Sequence, residues 1–93
     1  MGDLTFEWDE QKATANLKKH GVSFDEARTV FFDERARLID DPDHSQHEER
    51  FILLGLSSRL RVLVVYHCYR SAGNVIRIIS ARKATKHEAE FYS

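Results

Sequence analysis

Residues 60–70, LRVLVVYHCYR, and residues 75–82, VIRIISAR, decide the fold, with Ser71-Ala72-Gly73-Asn74 between them. Both runs are rich in Val, Ile and Tyr, whose branched or flat side chains suit a pleated surface, and a short loop carrying Gly and Asn folds two such strands back antiparallel. This predicts a hairpin at the centre of a sheet. Alternation places Leu63, Val65, His67 and Tyr69 on one face and Val64, Tyr66, Cys68 and Arg70 on the other. In the second run it groups Arg77 with Val75, Ile79 and Ala81, and Arg82 with Ile76, Ile78 and Ser80. If Arg70 pairs with Val75, Cys68 faces Arg77 and His67 faces Ile78; a slip of one residue brings His67 beside Arg77 instead. Both registers stay open at this level. Either way an imidazole, tyrosines and a guanidinium sit on the stiffest element of the chain.

Working outward, Leu4, Phe6 and Trp8 alternate and predict a short strand over residues 3–8. Asp9 caps a helix over 10–20 that closes with Lys18, Lys19 and Gly21. Its apolar side is thin: Ala13 and Leu17 lie four apart, as do Asn16 and His20, so much of it faces water. Ser23 and Glu26 form a capping box for a second helix over 24–32, whose stripe of Phe24, Ala27, Val30 and Phe31 packs on the sheet. Leu38 and Ile39 centre a brief strand over 36–40, ended by a turn at Asp41-Pro42-Asp43. A polar loop over 44–48 leads to the strand FILLGL at 51–56. Thr85 and Glu88 make a second capping box, opening a terminal helix whose Phe91 and Tyr92 dock on the body. The order β-α-α-β-β-β-β-α predicts an α+β domain with a mainly antiparallel sheet.

Ninety-three residues, 42% apolar and 31% charged, describe one globular domain spanning 1–93. No run approaches the roughly 18 apolar residues of a membrane span, and MGDLTFEWDE lacks the pattern of a signal peptide; a cytoplasmic protein is expected. The single cysteine makes no internal disulfide. Net charge is −1, with 14 Lys and Arg against 15 Asp and Glu, so no global field draws in a polyanion. The charge is nevertheless segregated. Residues 59–87 carry Arg59, Arg61, Arg70, Arg77, Arg82, Lys83 and Lys86 and no acid, whereas 33–49 is mostly acidic.

Glycine-rich phosphate loops, dinucleotide fingerprints and Cys-rich metal sites are absent, so no nucleotide cofactor is expected. His44 and His47 have a metal-like spacing but lack a third fixed ligand, so no metal is expected. Cys68 reads as a small core residue. His67 serves either as an acid–base or as a histidine tied to backbone. Arg77 is either a phosphate clamp or a snorkelling side chain; Arg82 and Lys83 stand at a strand end, beside loops where ligands arrive. Lys18, Lys19 and His20 suit a helix C-terminus on dipole grounds alone. Trp8, Tyr66, Tyr69 and Tyr92 are able to stack on bases but more often fill cores and rims.

FEWDEQKATANLKKHGVSFDEARTVF (6–31), VLVVYH (62–67) and VIRIISARKAT (75–85), with Glu and Tyr beyond, resemble the BrnT family, the toxin component of bacterial type II toxin-antitoxin pairs. The likeness spans nearly the whole chain and rests on long compound patterns, WDxxKxxxNxxKHGVSFxEA and IRIISARKA. It implies a RelE-like fold, with helices on one side of a small antiparallel sheet, and a ribonuclease that needs no metal and inhibits translation. It also implies a BrnA-like antitoxin whose ribbon-helix-helix reaches DNA, so that DNA is contacted only indirectly, and a toxin-antitoxin heterotetramer. Matching the KHG and RIISAR stretches assigns the phosphate to Arg77 and Arg82, the proton transfers to His67, and supporting RNA contacts to Lys19, His20, Arg70 and Lys83, with Glu49 another possible base. The competing class is a non-catalytic RNA- or protein-binding module, or a degenerate toxin retained as co-repressor.

Overall fold

The computed structural model describes residues 4–40 and 50–92. The turn at 41–43, the histidine pair at 44–47 and Glu49 lie outside the described residues. Five strands, β1 (Thr5–Glu7), β2 (Arg37–Asp40), β3 (Phe51–Leu56), β4 (Val62–Arg70) and β5 (Val75–Lys83), form one sheet in the order β1-β5-β4-β3-β2. β1 runs parallel to β5, and every other pair is antiparallel. Helices α1 (Glu10–His20) and α2 (Phe24–Thr29), the latter extended by a 3₁₀ turn over Val30–Phe32, follow β1, and α3 (Lys86–Tyr92) closes the chain. This is the expected element order and the expected α+β class.

Local chemistry sets the helix ends. Asp9 Oδ1 accepts from the amides of Gln11 and Lys12 at 2.8 and 3.2 Å, and Gly21, at φ 70°, donates its own amide to Leu17 O at 2.9 Å. The two capping boxes differ. Thr85 and Glu88 form both halves: Thr85 N donates to Glu88 Oε1 at 2.9 Å, and Glu88 N to Thr85 Oγ1 at 3.1 Å. At α2 only half forms, with Ser23 Oγ accepting from Glu26 N at 3.0 Å. The Glu26 carboxylate turns inward instead, accepting from the Ser57 hydroxyl at 2.6 Å, from Arg61 Nε at 3.0 Å and from Arg61 Nη2. This knot holds residues 57–61 as a turn, so Leu60 and Arg61 precede β4 rather than beginning it.

The hairpin adopts the register in which Arg70 pairs with Val75, Cys68 with Arg77 and His67 with Ile78. A bulge then intervenes: Tyr66 pairs with Ser80, leaving Ile79 as the extra residue. The bulge inverts the alternation beyond it, because one added residue flips every later side chain. Strict alternation separates Arg77 from Arg82; the bulge returns both to the face that carries Val64, Tyr66 and Cys68. That expectation is corrected here.

Val22, Phe24, Ala27 and Val30 pack against Leu53, Leu63, Val65, Ile78 and Ala81, so α1 and α2 cover one face of the sheet. Asn16, expected on the wet side of α1, is 7% exposed. β1 pairs with β5 only as far as Arg77, and the Asn16 amide continues the ladder from there: Nδ2 donates to Ala81 O at 2.8 Å and to Val22 O at 2.9 Å, while Ala81 N donates to Oδ1 at 3.1 Å. A side chain thus satisfies a strand edge that would otherwise be buried without partners. On the other face, Phe91 of α3 lies over a groove formed with Ile39, Ile52, Leu54 and Val64, and Tyr92 Oη donates to Asp33 Oδ2 at 2.6 Å.

Candidate nucleic-acid interface

The face away from α1 and α2 carries a compact polar cluster. Arg82 Nη1 and Nη2 donate to the two carboxylate oxygens of Glu88 at 2.7 and 2.8 Å, and Nη2 also donates to Tyr66 Oη at 3.3 Å. Because Val64 opposes Arg82 and Tyr66 opposes Ser80, these side chains share the sheet face just past the bulge. The bidentate pair holds the Glu88 carboxyl at about 2 and raises the Arg82 pKa further above its usual range. Both groups are therefore charged throughout the neutral range.

Next to this cluster runs a shallow groove of about 230 Å³ between α1 and the edge of β5, lined by Lys12, Ala15, Asn16, Lys19, His20, Ile79 and Ser80. Helical spacing explains the wall: Lys12, Ala15, Asn16 and Lys19 recur at three and four residues, so they share one side of α1. Every ionisable side chain in the lining is basic. Ser80 belongs both to this groove and to the row opposite Tyr66, so cationic groove and Arg82 cluster adjoin. Lys12, Ser80, Tyr66 and Glu88 were not among the expected site residues. Lys12 stands in the compound pattern WDxxKxxxNxxKHGVSFxEA but was given no role there, and Ser80 had no signal beyond a place beside Arg82. The only role Glu88 was given was that of a helix cap.

The remaining expected residues go elsewhere. His67 is 0% exposed, its Nδ1 donating to Val65 O at 3.1 Å, its Nε2 accepting from Tyr69 Oη at 3.3 Å and its ring 4.8 Å from that of Phe31. It lies on the α1–α2 face, and burial lowers its pKa, so it is a neutral core side chain. The expected grouping of His67 with the arginines is corrected: the sheet stands between them. Nor do Arg77 and Arg82 converge. Arg77 Nη1 donates to Glu7 Oε2 at 2.8 Å, and Arg70 Nε lies 3.3 Å from the same oxygen. Four residues of β4 separate the rows of Arg77 and Arg82, roughly 13 Å at about 3.3 Å per residue. Lys83 opposes Leu63 and is directed to the helix side, and Cys68 is buried, as expected of a small core residue. Among the described residues no group of three His, Cys, Asp or Glu is placed to hold a metal, and no helix is long and apolar enough to cross a membrane.

Sheet, helix layer and edge groove together define a small α+β domain with a cationic cleft bordering an arginine–carboxylate pair. The fold is that of the Brucella abortus ribonuclease toxin BrnT: its crystal structure aligns with a TM-score of 0.67 at 22% identity, covering 90% of this chain and all of the other. Residues 8–88 match the family model described as ribonuclease toxin, BrnT, of type II toxin-antitoxin system. The chain belongs to that family. No curated protein matches it.

Proposed function

We propose that this chain is an endoribonuclease that cleaves RNA without a metal ion, and that its working surface is the α1–β5 groove together with Arg82 and Tyr66. The observation that carries the reading is the acid-free lining of that groove, Lys12, Lys19 and His20, on a protein whose net charge is −1. A polyanion is favoured there against the balance of the whole molecule. Family membership supplies the reaction class.

In the proposed reaction the ribose 2′-oxygen attacks the adjacent phosphorus while its proton passes to a base. The bond to the 5′-oxygen breaks as that oxygen takes up a proton, leaving a 2′,3′-cyclic phosphate and a 5′-hydroxyl. Arg82 stabilises the crowded phosphorane, since its fork matches two phosphate oxygens and its position on β5 is fixed in advance. Lys12 and Lys19 hold neighbouring phosphates. His20 replaces His67 as the candidate for proton transfer, because it lines the groove whereas His67 is sealed in the core. Arg70 and Arg77, bound to Glu7 at the β1 edge, take an outlying phosphate. Translation is the process stopped, and a BrnA-like antitoxin, assembled with the toxin as a heterotetramer, neutralises it in the cytoplasm.

Purified protein incubated with RNA in EDTA tests the chemistry, and inducible expression in a bacterium tests the biology. The expected results are cleavage that Arg82→Ala reduces at least a hundredfold, and growth arrest that the same variant relieves. Intact RNA at high protein concentration would support the non-catalytic binding class instead.

A further inference from the structure

We infer that α3 is a latch in which Glu88 occupies the seat on Arg82 that an RNA phosphate takes, so that RNA binds in competition with the protein's own carboxylate. The inference rests on the role proposed above for Arg82. A carboxylate and a phosphate present a guanidinium with the same paired oxygens, and its Nη1–Nη2 end seats one such pair at a time. Here that end is full. Nη1 serves Glu88 Oε1 and Lys83 O, and Nη2 serves Glu88 Oε2 and Tyr66 Oη. A phosphate can reach this end-on seat only after Glu88 leaves it.

The helix that carries Glu88 is built to move. α3 has seven residues, none of them buried, and Phe91 is 57% exposed. Lifting it forfeits little apolar burial. Its hold includes the Glu88 pair, the packing of Phe91 along the groove of Ile39, Ile52, Leu54 and Val64, and the Tyr92 bond to Asp33. Glu88 Oε1 is also the acceptor for Thr85 N, so a carboxylate that swings away from α3's N-terminus gives up that half of the capping box while Thr85 Oγ1 keeps the other. The carboxyl, held at about 2, stays charged at any physiological pH; a competing anion opens the latch and protons do not. A lone phosphate must displace a tethered carboxylate unaided. A strand already seated on Lys12 and Lys19 delivers its next phosphate at high effective concentration. The latch therefore selects chains of phosphates over single ones.

A 2′-O-methylated single-stranded RNA, which cannot be cleaved by 2′-oxygen attack, isolates binding, read by fluorescence anisotropy on the full chain. Glu88→Gln is expected to tighten binding about tenfold, the factor by which a mostly closed latch masks affinity. Phe91→Ala, which loosens α3 without altering charge, tightens it in the same direction and decides the matter should Glu88→Gln fold poorly. Glu90→Gln on the same helix changes it less than about twofold, controlling for loss of a negative charge alone. In an Arg82→Ala background the gain from Glu88→Gln vanishes. Equal or weaker binding by folded Glu88→Gln and Phe91→Ala, or a gain that survives without Arg82, overturns the latch while leaving the role of Arg82 standing. Unchanged RNA affinity in Arg82→Ala alone overturns that role, and the latch with it.

Discussion

Asn16 and His67 are the two buried residues whose chemistry a sequence reading assigns least well. Spacing along α1 gives Asn16 a polar position four residues from His20, which reads as surface; that its amide completes the edge of β5 depends on residues 65 positions away. Removing it leaves both backbone groups of Ala81 unpaired, so Asn16→Ala is expected to cost about 2 to 4 kcal/mol in urea unfolding. His67 was legible as an imidazole among apolar neighbours but not as a core residue, because alternation alone does not say which face the helices cover. Its folded pKa lies below 6.5, so the unfolded chain binds the proton more readily. Stability is full above about pH 6.5 and falls as pH drops toward the folded value. Between pH 7.5 and 5.5 this residue accounts for at most about 1.4 kcal/mol of lost stability. Urea midpoints at the two pH values should converge in His67→Phe, which keeps the ring packing and removes the titration; an unchanged pH dependence would show that other groups carry it.

Among the elements, the hairpin and α1 were readable nearly to their ends, because turn residues, caps and alternation agree there. The bulge was not. VIRIISAR contains no glycine to mark an extra residue, yet the pairing of Tyr66 with Ser80 decides that Arg82 faces Glu88 and not the core. Glu88 shows the same limit, since its offset from Thr85 spells a cap and nothing local points to Arg82. Where β3 passes the 3₁₀ turn, Gly55 is required by space: a Cβ there would lie 2.8 Å from Val30 Cγ1 and 2.9 Å from Ala36 Cβ. Gly55→Ala is expected to cost about 1 to 3 kcal/mol, as overpacking does, measured as a fall in the urea midpoint at unchanged m-value.

For the molecule as a whole, the proposed RNA site depends on local and not on net charge. The chain as a whole is weakly acidic, yet Lys12, Lys19 and His20 line the α1–β5 groove with no acid among them. RNA affinity should therefore fall steeply with salt. Lys12→Ala and Lys19→Ala are each expected to lower the slope of log affinity against log salt by about 0.7, the value for one phosphate contact on a single strand. An antitoxin would gain more than RNA by burying the β2 edge, where Leu38 and Ile39 are 55% and 45% exposed on opposite faces of the sheet and Phe91, beside Ile39, is 57% exposed.

The proposed reaction, in which RNA is cut by its own 2′-oxygen on a surface fixed by Arg82, leaves its signature on the product ends. Mass spectrometry of a short RNA digested in EDTA should find 2′,3′-cyclic phosphate and 5′-hydroxyl termini, with 2′-O-methylation at the cut site blocking the reaction and Arg82→Ala slowing it at least a hundredfold. Termini bearing 5′-phosphate would rule out attack by the 2′-oxygen, and digestion at full rate without Arg82 would remove that residue from the reaction.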